Sequence, residues 1–279
     1  MGLLHPDRQD FMTRYKLTLE YDGTGYRGWQ TQQNARSVQG TVREAARTLL
    51  GAAVDLQGAG RTDAGVHALG QVAHLEAAVR MPVRKLQEGL NDLLPAGIHV
   101  LRTEETPPDF HARHHARARS YVYLISRRRT AFGKRYVWWV RDRLDVKAMQ
   151  SAAADIAGFH DFASFADRRL EKGHSTRVQV ERAELFERGE LIVFRIAGSH
   201  FLWKMVRRLV GTLVEIGRGS PPPREMKTLL NRVSEAPAAW TAPPSGLYLE
   251  QVLYEGDVWN PEPFAPLPLW GLSGARDRS

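Results

Sequence analysis

A glycine-rich stretch holds the side chains of this chain that are best suited to chemistry. Residues 58–67 read Gly-Ala-Gly-Arg-Thr-Asp-Ala-Gly-Val-His and place one carboxylate, Asp63, beside small residues. The glycines are expected to adopt left-handed backbone angles and to let a ligand come close. Arg61 offers a planar set of donors that suits a phosphate or the edge of a base. The stretch thus predicts a site for a flat ligand, with an ordinary Asx turn at Thr62-Asp63 as the alternative.

The charge of the chain favours a polyanionic partner. Its 279 residues include 39 Lys and Arg against 31 Asp and Glu, which gives a net charge of +8. Most of the basic residues are arginines, which bind phosphates in a bidentate manner and stack on bases. Genome composition can also produce an arginine bias, so the charge indicates nucleic acid without proving it.

Cysteine is absent from the sequence. This excludes disulfides, cysteine zinc sites and any RNA-modifying chemistry that uses a thiolate nucleophile. No stretch reaches the roughly 18 apolar residues that a membrane span needs, and the polar first 13 residues do not resemble a signal peptide. We therefore expect a soluble protein of the cytoplasm with no membrane partner.

The N-terminal half predicts a mixture of strands and helices. Residues 15–22 alternate between apolar and polar side chains, which is typical of a half-buried strand. Ser37 can cap a helix that ends before Gly51. The remaining elements expected in this half are a strand over 71–76, a helix from Pro82 with Val83, Leu86, Leu90 and Leu93 on its apolar face, and a strand over 98–102.

The C-terminal half repeats this mixture. Its expected strands are 120–126, 178–186, 191–196 and 247–254, and its expected helices are 145–157 and 201–216. A proline-containing segment, 103–108, is predicted to be a linker. We therefore expect an α+β fold of two similar halves, with joined antiparallel sheets and a basic catalytic cleft between them. The predicted domains are 14–108 and 109–256, followed by an extended C-terminal tail, 257–279.

Residues 23–28 match the G-x-G-x-x-G fingerprint of dinucleotide-binding proteins and follow a predicted strand. A true fingerprint opens a helix whose N-terminus receives the pyrophosphate. Here a polar loop continues to Ser37 instead. The context therefore argues against a nucleotide-dependent enzyme, which stays open as an alternative reading.

A basic run extends from His111 to Arg143 and is interleaved with aromatic residues. Basic side chains neutralise phosphates and aromatic rings stack on unpaired bases, so the run predicts an RNA groove. A solvated basic face over core aromatics is the alternative. The histidines 111, 114 and 115 lack acids or cysteines beside them, which favours phosphate contact or packing over a metal site. The basic residues of the run are Arg113, Arg117, Arg119, Arg127, Arg128, Arg129, Lys134, Arg135, Arg141 and Arg143.

Several motifs together resemble those of the tRNA pseudouridine synthase A family. Residues 60–67 are similar to the family's catalytic motif, and further motifs follow in the family's order between about residues 15 and 254. These are Tyr21-Asp22-Gly23, Gly28-Trp29-Gln30, Phe110-His111-Ala112-Arg113, Met205-Val206-Arg207 and Gly246-Leu247-Tyr248.

The resemblance implies a function and a set of roles. The family isomerises uridine to pseudouridine at positions 38, 39 and 40 of the tRNA anticodon arm and works as a homodimer without cofactor or metal. The resemblance implies that Asp63 is the catalytic aspartate and that Arg207 pairs with it. Tyr121 corresponds to the tyrosine that stacks on the target base, and Leu247 to an apolar residue that lines the pocket.

The RNA itself must be held by basic side chains. The target uridine is expected to flip out of its stack, and Arg61 is expected to hold the flipped strand. Family members often carry histidine or asparagine near Arg207, whereas Lys204 and Arg208 stand here, so the details of RNA contact are open. The residues expected to bind RNA are Arg113, Arg117, Arg119, Lys204 and Arg208.

The chemistry of this isomerisation agrees with a lone carboxylate. The reaction breaks the bond between ribose C1′ and N1, turns the uracil and joins C1′ to C5, with no redox change. Asp63 can attack C1′ as a nucleophile or remove the C2′ proton as a base, and the sequence leaves both open. A non-catalytic RNA-binding protein with the same basic groove is the remaining alternative.

Overall fold

The computed structural model describes residues 12–169 and 175–261. The strands are β1 Thr13–Tyr21, β2 Val54–Gly58, β3 His67–Ala77, β4 Ile98–Thr106, β5 Ala118–Ser126, β6 Trp138–Trp139, β7 Gly158–Asp161, β8 Arg177–Arg188, β9 Leu191–Gly198 and β10 Leu247–Leu253. The α-helices are α1 Val38–Leu50, α2 Val83–Leu93, α3 Val146–Ala154, α4 Met205–Gly217, α5 Glu225–Asn231 and α6 Ala236–Ala239. None of the described helices is long and apolar enough to cross a bilayer.

Local sequence signals explain the first elements. In β1 the side chains of Tyr15, Leu17 and Leu19 are fully buried, as the alternation predicts. The Ser37 hydroxyl accepts a hydrogen bond from the Gly40 N–H at 3.1 Å and so caps α1. The helix ends at Gly51, whose φ of 62° suits glycine.

All ten strands belong to one sheet in the order β4-β1-β3-β10-β5-β9-β8-β7, with β2 beside β3 and β6 beside β5. The expected α+β class is confirmed. The pairs are antiparallel except at two places, β3 with β10 and β5 with β6. Strand β3, from the N-terminal part of the chain, and β10, from its C-terminal part, form one of these two parallel pairs. The similarity of the halves and the domain boundaries stay predictions.

Strand β3 changes its neighbour along its length. Its C-terminal part pairs with β2, up to the register of Gly58 with Ala73. Its N-terminal part pairs with β10, where Leu249 lies opposite Ala68. The loop between β2 and β3 thus leaves the sheet where one neighbour gives way to the other. We call residues 59–66 the Asp63 loop.

The two faces of the sheet are covered differently. Helices α1 to α5 contribute buried residues to one large apolar core that includes Tyr121 and Tyr123 of β5. The alternate residues of the same strand, Val122 and Leu124, belong to a smaller cluster together with Val137. The larger core thus provides the rigid frame beneath the Asp63 loop.

Several predicted boundaries need correction. Strand β4 runs to Thr106, so the predicted linker 103–108 is largely strand. Val83 and Leu93 of α2 are exposed, and only Leu86 and Leu90 of its predicted apolar face are buried. Helix α4 begins at Met205 and not at residue 201. Residues 257–261 of the predicted tail contain no helix or strand, and 262–279 lie outside the described residues.

Candidate active site

The Asp63 loop is fixed by hydrogen bonds to its backbone. The Thr62 carbonyl accepts from the Trp29 N–H at 3.0 Å, and the Gly60 carbonyl accepts from the Gln71 amide at 2.8 Å. The Thr62 side chain is buried and lies 2.8 Å from the Tyr21 hydroxyl. The loop backbone is therefore held in place without any contribution from the Asp63 carboxylate.

The glycines of the 58–67 stretch act differently from the expectation. Only Gly65 has a positive φ, of 76°. Gly58 is needed because a Cβ there would lie 2.5 Å from the Trp29 ring. A Cβ on Gly60 would meet only the Tyr121 hydroxyl, at 3.9 Å. Close packing thus explains Gly58, and backbone conformation explains Gly65.

The glycines of the 23–28 fingerprint support the same loop. A Cβ on Gly28, which has a φ of 96°, would lie 2.5 Å from the Thr62 carbonyl oxygen. A Cβ on Gly23 would lie 2.0 Å from the Val66 carbonyl oxygen. No α-helix begins before Val38 in this part of the described chain. These glycines let two loops touch, and the helix N-terminus that a dinucleotide needs does not follow them.

The Asp63 carboxylate contacts two side chains from the start of α4. Its Oδ2 lies 3.1 Å from Nη1 of Arg207, and its Oδ1 accepts from the Trp203 indole N–H at 2.8 Å. The Asp63 side chain is 22% exposed and that of Arg207 is 15% exposed. Arg207 is itself oriented, because its Nε donates to the Ala242 carbonyl at 2.7 Å. The carboxylate is thus partly buried, paired with a cation and not engaged in an Asx turn.

The chain enters α4 through an unusual residue. Lys204 has a φ of 62° and is the only non-glycine residue of the described chain with a positive φ. This conformation is sparsely populated for lysine and delays the start of the helix to Met205. We call residues 202–207 the α4 entry. It presents both Trp203 and Arg207 to Asp63.

Asp167 holds the α4 entry in place through its carboxylate and its backbone N–H. Its carboxylate lies 2.8 Å from Nζ of Lys204 and accepts from Nε of Arg169 at 3.0 Å. These hydrogen bonds, that of Arg169 above all, keep the pKa of Asp167 below its usual range. Its backbone N–H also donates to the Trp203 carbonyl at 3.2 Å. Neither Asp167 nor Trp203 was singled out from the sequence, since only the tertiary fold brings them to the site.

Tyr121 and Leu247 lie in the same cleft as Asp63. Tyr121 packs edge-on against Phe201, with 5.2 Å between ring centroids. Burial raises the pKa of Tyr121 to about 12, so its hydroxyl stays protonated at neutral pH. Leu247 begins β10 and is 5% exposed. The structure therefore brings Asp63, Tyr121, Arg207 and Leu247 together, with Arg61 exposed on the rim.

The cleft has a volume of about 1330 Å³, and cations outnumber carboxylates among the charged residues that line it. Two carboxylates, Asp55 and Asp63, are among its described lining residues. The cationic lining residues are Arg27, Arg43, Arg61, Arg113, Arg119, Arg169, Lys204 and Arg207. The cleft is thus electropositive and large enough for a nucleotide, and its volume exceeds that of an ordinary small-molecule pocket.

The predicted RNA-binding residues divide into exposed and buried groups. Arg113 is exposed and lines the cleft, whereas Arg117 is exposed but lies outside the lining. Arg119 is 8% exposed, and its guanidinium donates to four carbonyl oxygens, among them that of Ala59 in the Asp63 loop. Arg208 is buried and donates to the Ala166 carbonyl. Of the ten basic residues in the predicted groove, only Arg113 and Arg119 are among the described residues that line the cleft.

Comparisons with known proteins identify the class of enzyme that has this fold and this site. The model of a family described as tRNA pseudouridine synthase matches residues 18–115 and 152–255, which include Asp63, Arg113, Arg207 and Leu247. The chain is therefore a pseudouridine synthase, an isomerase that acts on tRNA uridine.

Curated relatives narrow this class. The tRNA pseudouridine synthase A of Moorella thermoacetica is 44% identical over 86% of this chain and 98% of that protein. The namesakes from Myxococcus xanthus and Sinorhizobium fredii are 42% and 40% identical, over 87% of this chain and 92% and 100% of theirs. The chain belongs to the tRNA pseudouridine synthase A family, which confirms the resemblance seen in its motifs.

Proposed function

We propose that this enzyme converts uridine to pseudouridine at positions 38, 39 and 40 of the tRNA anticodon arm, with Asp63 as its catalytic residue. The observation that carries the proposal is the Asp63 carboxylate, which lies in a cationic cleft and pairs with Arg207 at 3.1 Å. Either mechanism uses this carboxylate, as the nucleophile or as the base. The second carboxylate of the lining, Asp55, is exposed and accepts a hydrogen bond from Gln57.

The reaction moves the uracil from one atom to another. In the nucleophilic route an Asp63 oxygen bonds to C1′ as the bond from C1′ to N1 breaks, and the released uracil turns and attacks C1′ through C5, which breaks the bond from C1′ to the Asp63 oxygen. In the other route Asp63 removes the C2′ proton, the bond from C1′ to N1 breaks to give a glycal and free uracil, and C2′ regains the proton when C5 bonds to C1′. A proton then passes from C5 to N1 in both routes. No electron leaves or enters, so the proposal includes no cofactor and no metal.

The target base must leave its stack to reach Asp63. Flipping a nucleotide out costs a few kcal/mol, which contacts in the pocket offset. Tyr121 is proposed to stack on the flipped base, and Leu247 to line the apolar side of its pocket. Arg61, exposed on the rim, is proposed to hold the flipped strand through a phosphate.

The anticodon arm is proposed to lie along the basic cleft. Arg113 and Lys204 line it and suit direct contact with phosphates. Arg117 extends the exposed basic surface. Arg119 and Arg208 stay predicted RNA-binding residues, and both also support nearby backbone through hydrogen bonds to carbonyl oxygens. We also propose a cytoplasmic homodimer in which one tRNA crosses both subunits, which light scattering and crosslinking to tRNA would test.

The decisive experiment maps pseudouridine in an anticodon-arm transcript with uridine at positions 38, 39 and 40. Wild type and Asp63→Asn are compared without added cofactor, and Asp55→Asn serves as the matched control because it also lines the cleft. We expect product at those positions from wild type and from the control, and none from Asp63→Asn despite normal tRNA binding. Product from Asp63→Asn would remove its catalytic role, and product only at other positions would remove the anticodon-arm assignment.

A further inference from the structure

Trp203 occupies a position that the proposed mechanism leaves unexplained. Its indole is 39% exposed, yet its N–H donates to Oδ1 of Asp63 at 2.8 Å. Oδ2 of the same carboxylate is paired with Arg207. The two oxygens therefore have different donors, one neutral and one cationic, and the carboxylate cannot rotate without losing one of them.

The indole is held on its ring face and through its backbone. The guanidinium carbon of Arg169 lies 3.8 Å from the ring centroid of Trp203, which is a close cation–π contact. The Asp167 carboxylate orients that guanidinium by accepting from Nε of Arg169 at 3.0 Å. The backbone N–H of Asp167 donates to the Trp203 carbonyl. Asp167 thus fixes the stacking partner of Trp203 through its carboxylate and the backbone of Trp203 through its own N–H.

We propose that Trp203 is a positioning residue that sets the orientation of the Asp63 carboxylate toward the ribose of the bound uridine. The inference rests on the proposed role of Asp63. A neutral indole N–H fixes Oδ1 without adding a second cation, which would bind the reacting electron pair more tightly. The Arg169 guanidinium keeps the indole in the orientation that this hydrogen bond requires.

The test separates turnover from binding. Trp203→Phe keeps an aromatic ring for Arg169 but removes the N–H. Loss of a hydrogen bond to a charged group is expected to lower kcat by about 10- to 100-fold. The Kd for an anticodon-arm RNA and KM should change by less than about twofold. Trp139→Phe is the matched control, because Trp139 is also 39% exposed with an arginine over its ring, lies outside the described cleft lining and should retain full kcat.

Two further variants make every outcome decisive. Arg169→Ala leaves the N–H but removes its support, so an intermediate fall in kcat is expected, and this variant decides the matter if Trp203→Phe does not fold. Unchanged kcat in Trp203→Phe, with Asp63→Asn inactive, would overturn the positioning role alone. Unchanged kcat in Trp203→Phe together with a raised KM in Trp203→Ala would make Trp203 a stacking surface for RNA and would also overturn it. Activity in Asp63→Asn would overturn both this inference and the proposed function.

Discussion

The Asp63 loop and the α4 entry meet at one carboxylate but are held by opposite means. The loop is fixed by hydrogen bonds to its carbonyl oxygens and by glycines that let backbones touch. The α4 entry is fixed by charges around Asp167 and by a lysine in a left-handed conformation. Backbone packing sets a position rigidly, whereas side-chain charges set it in a manner that salt can change. The backbone of Asp63 is thus fixed in place, and the groups that contact its carboxylate are adjustable.

Gly28→Ala should disrupt the Asp63 loop, which is the rigidly packed region, more than any other change. The added Cβ would lie 2.5 Å from the Thr62 carbonyl oxygen, at a φ that alanine avoids. We expect a loss of about 2–4 kcal/mol in unfolding free energy. Because the loop must shift, kcat/KM should fall by about 100-fold or more. Urea unfolding and initial rates check this, and Gly25→Ala is the control because nothing lies within 4 Å of a Cβ there. Equal effects in both variants would contradict the role of close packing.

Asp167→Asn breaks the charged side. The amide cannot neutralise Lys204 and Arg169, so the α4 entry loosens and Trp203 loses its fixed partner. We expect kcat to fall about tenfold and the unfolding free energy to fall by about 1–2 kcal/mol, since both cations are partly exposed. Asp142→Asn, which removes a surface pair with Arg218, should change neither quantity. A stability loss with normal kcat would separate Asp167 from the site.

The salt dependence of RNA binding tests which residues of the basic run, 111–143, contact RNA. Arg113 lines the cleft and Arg129 is not among its described lining residues. Arg113→Ala should lower the slope of log K against log salt concentration by about 1, because one phosphate contact is lost. Arg129→Ala should leave the slope unchanged. A similar change in both, measured by anisotropy across a salt series, would restore the continuous groove that the sequence predicts.

Acid should loosen the packing around the Asp63 loop before it affects the α4 entry. This is the smallest effect of the four predictions. His67 is buried, and its Nδ1 accepts from the Gly23 N–H at 3.1 Å. Burial lowers the pKa of His67, an effect that nearby Asp22 opposes. Its stabilising contribution is therefore complete above its ordinary pKa and is lost as the pH falls below that value. Melting temperature should drop by several degrees between pH 7 and 5, and less in His67→Gln. Asp167, with its lowered pKa, stays ionised over this range, so an equal drop in both would contradict the prediction.

Sequence reasoning succeeded where the determining residues are neighbours in the chain. The alternation in β1, the Ser37 cap of α1 and the glycine-rich loop around Asp63 are all local signals. The contact of Trp203 with Asp63 joins residues 140 positions apart, so no local sequence pattern around either residue predicts it. The start of α4 was placed too early because its apolar run continues through Lys204, whose left-handed conformation depends on its tertiary contacts. Strands β2 and β7, of 5 and 4 residues, are too short for periodicity to reveal.

The exchange of neighbours along β3 also sets an order of events during synthesis. Leu247 reaches the cleft only when β10 has paired with β3 and β5, and β10 follows every other strand that the structure describes. Until β10 emerges from the ribosome, the N-terminal part of β3 is paired with β1 on one side and lacks its β10 neighbour on the other. The pocket around Asp63 is therefore completed last. A growing polypeptide cannot present a finished site to the tRNAs that surround it during translation.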